Sequence, residues 1–113
     1  MRIITGLIAL CLAGHASAEE ARLSASAISD LLTGATVIGE RTEQVFYESG
    51  RTLYNDGQDS WGYWRTQGDR YCSQWPPSES WVCYDMVVET AGGVTRVVWI
   101  GDSGTRYEGK IKR

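Results

Sequence analysis

Hydrophobic and polar residues follow two different periods along this chain. Residues 24–33 carry apolar side chains at helical spacing, between a serine that can cap the first turn and Gly34, which predicts one short helix. From residue 35 onward, short runs rich in Val, Tyr, Trp and Thr are separated by Gly, Asn, Asp, Ser and Pro, a pattern typical of β-strands and turns. Eight strands are predicted, at Ala35–Glu40, Gln44–Glu48, Thr52–Asn55, Gly62–Gln67, Arg70–Trp75, Trp81–Glu89, Val94–Gly101 and Thr105–Ile111.

The connections between these strands are too short to hold a crossover helix. Consecutive strands are therefore expected to pair antiparallel in an up-and-down order. The predicted fold class is mainly β: a small antiparallel up-and-down barrel, or a curved sheet, of about eight strands with a short N-terminal helix. Closure into a barrel would protect the edge strands from aggregation.

The first eighteen residues have the composition of a secretory signal peptide. Arg2 precedes an apolar run over residues 3–12, and Ala16-Ser17-Ala18 forms a typical cleavage site. Cleavage after Ala18 leaves one domain, residues 19–113, in the periplasm or outside the cell. A lipid anchor on Cys11 is the alternative, but Leu10 stands where that processing needs a small residue, so no lipid anchor is expected.

Cleavage would leave two cysteines, and an even count in an exported chain predicts one disulfide. If the hairpin turns about Pro77-Ser78, Cys72 and Cys83 lie directly opposite each other. In that register Gln74 faces Trp81, and Trp75 faces Ser80. A metal site or a reactive thiol is the alternative, but the chain offers no Cys-x-x-Cys motif and no histidine after residue 18.

Charge and motifs exclude several function classes. The formal net charge of −3 provides no basic footprint for a phosphate backbone, so nucleic acid is not an expected partner. After the signal peptide, no apolar stretch approaches the roughly 20 residues that span a bilayer. The chain contains neither a dinucleotide-binding fingerprint nor a P-loop, and no cofactor is predicted.

The tetrapeptide Gly101-Asp102-Ser103-Gly104 matches the sequence around the nucleophile of trypsin-like serine proteases. Such a serine needs a base, and the single histidine, His15, lies in the predicted signal peptide. Asp, Ser and Gly are also the residues that dominate tight connections, so a turn is predicted here. An enzyme acting through carboxylates alone stays as the least favoured hypothesis, with its candidates at Asp59, Asp69, Asp85 and Glu89.

Aromatic residues are the largest excess, with five Trp, six Tyr and one Phe. Alternation along residues 61–66 places Trp61, Tyr63 and Arg65 on one face of the strand and Trp64 on the other. A small domain encloses only some of these rings, so an aromatic binding surface is predicted, with a purely structural core as the alternative. The predicted binding residues are Trp61, Trp64, Trp75, Trp81, Ser103 and Tyr107.

Two resemblances bear on these residues. The pattern G-x-W-x(3)-G-x(3)-C-x(2)-W, at Gly62, Trp64, Gly68, Cys72 and Trp75, resembles a family of short exported bacterial domains; the resemblance implies a periplasmic β domain and brings no catalytic residues. Residues 103–107, Ser-Gly-Thr-Arg-Tyr, are similar to the inhibitory loop of periplasmic inhibitors of C-type lysozyme, which are small disulfide-linked β-barrels. Residues 63–71, Tyr-Trp-Arg-Thr-Gln-Gly-Asp-Arg-Tyr, are similar to the Trp-and-Gly-rich strand of the same inhibitors. That strand follows the loop in the inhibitors, whereas residues 63–71 precede the loop in this chain.

Together these observations predict a non-catalytic binding module that engages a periplasmic protein or an envelope component. The alternative function is inhibition of a lysozyme through the loop at Ser103–Tyr107, which the second resemblance implies.

Overall fold

The computed structural model describes residues 21–113, and the predicted signal peptide and its cleavage site lie outside the described residues. One helix precedes eight antiparallel strands, and β8 pairs with β1, so the sheet closes into a barrel. The predicted helix, the strand count and the up-and-down order are confirmed. The elements are α1 (Ala25–Leu32), β1 (Thr36–Ile38), β2 (Glu43–Phe46), β3 (Arg51–Asn55), β4 (Asp59–Gln67), β5 (Arg70–Gln74), β6 (Trp81–Ala91), β7 (Val94–Ile100) and β8 (Arg106–Lys112).

Closure of the barrel depends on a glycine in β8. Val37 of β1 faces Ile111 of β8, and Gly109 lies one position further along the inner face of β8. A Cβ atom on Gly109 would overlap the Val37 side chain and would lie 3.1 Å from the carbonyl oxygen of Ile38. The absence of a side chain at residue 109 therefore lets the first and last strands approach closely enough to pair.

The helix α1 closes one end of the barrel. Ser24 caps the helix, because its Oγ accepts a hydrogen bond from the Ala27 amide at 3.2 Å. Ile28 and Leu32 are fully buried in the hydrophobic core that fills this end. No helix within residues 21–113 has the length and apolar character needed to cross a membrane.

Polar contacts from the neighbouring strands hold the helix in place. The Ala25 amide donates to the Asp69 carboxylate in the β4–β5 turn at 2.8 Å. The backbone just after the helix pairs with Phe46 at the end of β2. The opposite end, formed by the β1–β2, β3–β4, β5–β6 and β7–β8 turns, has no such plug among the described residues; we call it the open end.

The predicted disulfide and its register are confirmed. Cys72 of β5 and Cys83 of β6 are bonded and directly opposed, and Gln74 faces Trp81 as the hairpin register predicted. The ladder stops at that pair, so Trp75 does not face Ser80 in the ladder. Two consecutive prolines follow Trp75, and neither has an amide hydrogen with which to extend the pairing.

The disulfide is expected to supply a large share of the stability of this small domain. Its loop spans 11 residues in sequence, so removing it in a Cys72→Ala/Cys83→Ala double variant should lower the free energy of unfolding by about 3 kcal/mol. Urea unfolding followed by tryptophan fluorescence measures this change. Wild-type protein unfolded in a reducing agent is the control and should show a similar loss; an unchanged midpoint for both would contradict the prediction.

Candidate functional site

The open end of the barrel holds a cavity of about 790 Å³. The core cluster around Phe46, Met86 and Val97 fills the barrel next to the helix, and the space beyond that cluster is open to solvent between the four turns. We call this space the lumen. Its lining residues are Val37, Gly39, Thr42, Gln44, Tyr54, Asp56, Ser60, Trp61, Tyr71, Ser73, Trp75, Pro76, Tyr84, Trp99, Arg106, Tyr107 and Glu108.

Trp75 forms part of the lumen wall although it lies just beyond the end of β5. Its ring covers Gly62 on the inner face of β4, where a Cβ would lie 2.6 Å from the Trp75 Cε3 atom. The indole Nε1 donates to Ser73 Oγ at 3.1 Å, and Tyr54 packs edge-on against the ring with 6.0 Å between centroids. These contacts fix the indole in one orientation, with part of its surface turned to the cavity.

A polar network crosses the bottom of the lumen. The Gln44 Nε2 donates to Thr52 Oγ1 at 3.0 Å, and that hydroxyl donates to the Val45 carbonyl at 2.8 Å. The side chains of Gln44 and Ser73 also interact with the Tyr71 hydroxyl. Strand alternation explains this grouping, because residues 44, 52, 71 and 73 all occupy inward positions on neighbouring strands.

Burial controls the ionisation of Tyr71. The side chain is 4% exposed, and its removal from water raises the pKa of the phenol well above its ordinary value of 10.0. Hydrogen bonds from Ser73 and Gln44 act in the opposite direction but are weaker. Burial also raises the pKa of Tyr84, with a smaller contribution from Tyr107. The Tyr71 hydroxyl therefore stays protonated throughout the physiological range.

Charged residues line the lumen only at its mouth. Asp56 lies in the β3–β4 turn, and Arg106 and Glu108 belong to the exposed start of β8. Glu108 also forms an ion pair with Arg96 at 4.0 Å on the outer face of the barrel. The deeper lining residues that the structure describes are all uncharged, so the inner part of the lumen is a neutral environment.

The structure separates the four tryptophans that the sequence grouped into one surface. Trp64 lies in the core, 7% exposed, with its Nε1 donating to the Tyr47 carbonyl at 3.0 Å. Trp61 lies on the outer face of β4 near the mouth, and Trp81 lies on the outer face beside the disulfide. Trp61 and Trp75 both border the lumen, but of these two only Trp75 has its ring packed inside the barrel.

Cations cover the two outer tryptophans. The Arg51 guanidinium stands 4.1 Å above the Trp61 ring, and Tyr47 stacks on the same ring at 5.9 Å between centroids. The Arg65 guanidinium stands 3.8 Å above the Trp81 ring. Such cation–π contacts occupy ring faces that would otherwise be available to a partner.

Ser103 and Tyr107 border a second, smaller cleft of about 600 Å³ in the barrel wall. It forms because β7 pairs with β6 only from Asp85 onward, which leaves residues 81–84 beside the β7–β8 turn. The motif Gly101–Gly104 forms this turn, as predicted, with the Gly104 amide donating to the Gly101 carbonyl at 2.9 Å. Tyr107 is 55% exposed and lines both this cleft and the lumen.

An ion-pair network holds the β7–β8 turn against the barrel. Arg70 donates to Asp102 at 2.7 Å and to Asp85 at 3.1 Å, and Arg22 also contacts Asp85 at 3.3 Å. The hydrogen bond to Asp102 is the main cause that raises the pKa of Arg70 above its ordinary value. Asp85, one of the candidate catalytic carboxylates, is therefore engaged by two arginines.

Sequence reasoning missed the residues at the bottom of the lumen, chiefly Gln44, Tyr71 and Ser73. Their inward positions follow from the same strand alternation that places Gly62 and Trp64 inside the barrel. The hydrophobic and polar pattern of the sequence therefore contained the information needed to predict them. What the sequence did not reveal is how far the core extends along the barrel axis. Within residues 21–113 the structure holds no cluster of three or more His, Cys, Asp or Glu side chains placed to bind a metal ion.

Comparisons of this chain with known proteins found no match. No family model matches the chain, and the searches of curated proteins and of solved structures found no match. The resemblances to short exported domains and to lysozyme inhibitors stay predictions. The case for function therefore depends on the geometry of the site.

The burial of Tyr71 predicts a loss of stability at alkaline pH. Because the folded state raises the phenol pKa above the ordinary 10.0, the unfolded chain releases this proton first as the pH rises. The contribution to stability is complete below pH 10 and is lost progressively above it. A Tyr71→Phe variant should therefore show a shallower fall in the free energy of unfolding between about pH 9 and pH 11.

Urea unfolding across this range measures the effect. Tyr63→Phe is the matched control, because Tyr63 is 44% exposed on the outer face of β4. It should follow the wild-type curve. Identical slopes for the wild type and Tyr71→Phe would contradict the assignment.

Proposed function

We propose that this chain is an exported, non-catalytic binding module and that the lumen is its binding site. The observation that carries the proposal is a cavity of about 790 Å³ with aromatic walls and a polar network at its closed end. Ligand pockets of this kind typically enclose about 300–1,000 Å³ and combine many apolar contacts with few polar ones. The proposed partner is an envelope component small enough to enter the barrel.

Because the helix end of the barrel is closed, a ligand has one route into the lumen, through the open end. Helix α1 and the core cluster block the barrel beyond Phe46, so a ligand enters and leaves between the four turns of the open end. An eight-stranded barrel has room inside for packed side chains or for one small ligand. Here the side chains occupy the helix end and leave space at the other end.

The proposal includes export to an oxidising compartment. The disulfide between Cys72 and Cys83 supports it, because such bonds persist in the periplasm and outside the cell and are rare in the cytosol. The signal-peptide pattern of residues 1–18 supports export independently of the disulfide.

Loss of the Trp75 ring should weaken binding in the lumen. The uncharged dye N-phenyl-1-naphthylamine serves as the probe, because its fluorescence rises in an apolar site. Trp75→Ala should reduce its affinity by about tenfold or more, since a large aromatic contact is removed. Ser60→Trp, which places a bulky ring at an exposed inward position near the mouth, should block binding without altering the core.

Trp81→Ala is the matched control, because it removes an indole from the outer face of the barrel that does not line the lumen. Its affinity for the dye should stay within about twofold of wild type. If Trp81→Ala abolishes dye binding while Trp75→Ala and Ser60→Trp do not, the site lies on the outer surface and the proposal fails.

A second candidate function is inhibition of a lytic enzyme through the β7–β8 turn. The observation that favours it is the fixed, exposed presentation of this turn: Arg70 anchors Asp102, and the hydroxyls of Ser103 and Thr105 lie 3.0 Å apart. A rigid exposed loop pays little ordering entropy when it inserts into an enzyme cleft.

If this second function holds, the protein inhibits a C-type lysozyme and Ser103→Ala weakens that inhibition by about tenfold. Turbidity assays of bacterial lysis measure the inhibition constant. Ser49→Ala, in an exposed turn at the helix end of the barrel, is the control and should leave inhibition unchanged. Absence of inhibition by the wild-type protein removes this candidate and leaves the lumen proposal intact.

A further inference from the structure

One buried donor on the lumen wall has no hydrogen-bond partner. It is Trp99 Nε1, the single buried side-chain nitrogen or oxygen within residues 21–113 that makes no hydrogen bond. Trp99 belongs to β7, its side chain is 8% exposed, and it lines the lumen. We propose that the lumen binds an uncharged, apolar molecule whose carbonyl-type oxygen accepts a hydrogen bond from this indole, an inference that rests on the proposed function.

The missing partner sets Trp99 apart from the other tryptophans inside the barrel. Trp64 Nε1 donates to the Tyr47 carbonyl at 3.0 Å, and Trp75 Nε1 donates to Ser73 Oγ at 3.1 Å. Buried donors in native proteins are nearly always paired, because an unpaired N–H has lost its hydrogen bond to water and gained nothing in exchange. An acceptor that reaches Trp99 Nε1 therefore forms a hydrogen bond without displacing an existing one.

The core side of the ring supplies no acceptor. Trp99 stacks on Phe46 with 6.2 Å between centroids, Met86 lies directly opposite it on β6, and Val97 is the preceding inward residue of β7. None of these three side chains carries an oxygen or a nitrogen. Tyr71 packs edge-on against the ring at 5.7 Å between centroids, but its hydroxyl forms no hydrogen bond with Nε1. The lumen is therefore the side from which an acceptor can come.

The burial of Nε1 defines where in the lumen the acceptor must lie. It reaches the nitrogen only next to the aromatic layer, and only after a small displacement of a neighbouring side chain. Of the two residues paired with Trp99 in the ladder, Met86 is fully buried and Tyr107 is 55% exposed. Tyr107 is therefore the neighbour with room to move when a molecule enters.

The surroundings of the indole determine the chemistry of the acceptor. An indole N–H donates and cannot accept, so the ligand must supply the acceptor atom. The lining residues below the mouth carry no charge, whereas Asp56, Arg106 and Glu108 lie at the mouth. An ionised acceptor would lose its hydration there without meeting an opposite charge. A neutral oxygen of a ketone, ester or amide fits this position, and the surrounding rings favour an apolar body.

Three naphthalenes that differ in one substituent test this inference. 2-Acetylnaphthalene carries a carbonyl oxygen, 2-isopropenylnaphthalene has nearly the same shape with a methylene group in place of that oxygen, and 2-naphthoate is ionised at neutral pH. Isothermal titration calorimetry on the mature chain measures their affinities. The naphthoate should bind more weakly than the ketone. Because the ketone and the alkene differ in hydration, their affinity ratio is compared between proteins.

The deciding variant replaces the Trp99 indole by the benzothiophene of 3-benzothienylalanine, which keeps two fused rings and has sulphur in place of the N–H. It should bind the ketone about tenfold more weakly than wild type and the alkene with unchanged affinity. The same replacement at Trp81, which does not line the lumen, is the matched control and should change neither affinity. Unchanged affinity for the alkene shows that the lumen is intact.

The indole proton of Trp99 provides a second readout on the wild-type protein. In a chain labelled with ¹⁵N-tryptophan, this signal should lie further downfield in the ketone complex than in the alkene complex, because a hydrogen-bonded proton is deshielded. The signal is identified by its loss in Trp99→Phe and, independently, by nuclear Overhauser contacts with Phe46. Trp64 and Trp75 are internal controls, because their Nε1 atoms already donate. Their signals should be similar in the two complexes.

The outcomes separate this inference from the proposed function. A ketone-to-alkene affinity ratio that survives the loss of the Trp99 N–H, or an indole signal at the same position in both complexes, overturns the role of Trp99 and leaves the lumen as a binding site. Tightest binding of the naphthoate overturns the neutral acceptor. Failure of all three compounds to bind protein that still binds N-phenyl-1-naphthylamine also overturns the inference alone. If that dye does not bind either, the proposed function fails as well.

Discussion

The pairing of β8 with β1 is the constraint on which the rest of this structure depends. A sheet of eight short strands leaves two edges unless its ends meet, and here they meet because Gly109 has no side chain to hold β8 away from Val37. Closure turns one face of every strand into an interior. Alternation along each strand then decides which side chains share that interior, and the lumen is a direct result of the closed geometry.

The interior is divided unequally along the barrel axis. Helix α1 brings Ile28 and Leu32 into one end, and Phe46 packs there against Trp64, Tyr71 and Trp99 with centroid separations of 5.6–6.2 Å. These rings form a continuous aromatic layer across the barrel. Beyond it no further plug is present among the described residues, so the layer acts as the core on one side and as the floor of the lumen on the other.

Much of the fold was predictable from local patterns, and much of the site was not. The eight strands, the helix over residues 25–32 and the Cys72–Cys83 pairing follow from alternation, turn residues and one hairpin register, all of which act over short sequence distances. The separation of Trp64 from Trp75 depends on contacts distant in sequence. Both side chains point inward, but Trp64 belongs to the aromatic layer, whereas Trp75 lies beyond the end of its strand, where two prolines stop the ladder.

Strand β5 carries both a cysteine of the disulfide and residues that line the proposed site. Within three consecutive residues this strand carries Tyr71 inward, Cys72 outward and Ser73 inward. The disulfide at Cys72 ties β5 to β6 from outside the barrel, at the level where the two inward hydroxyl groups reach the lumen. Tyr84 of β6 packs against Tyr71 across the same ladder, with 6.2 Å between ring centroids. A covalent bond on the outer face thus links the two strands that carry these inner-face side chains. A polar site that is held rigidly before a ligand arrives loses less entropy on binding. The disulfide that is expected to stabilise this small domain therefore also links two strands that line the proposed binding site.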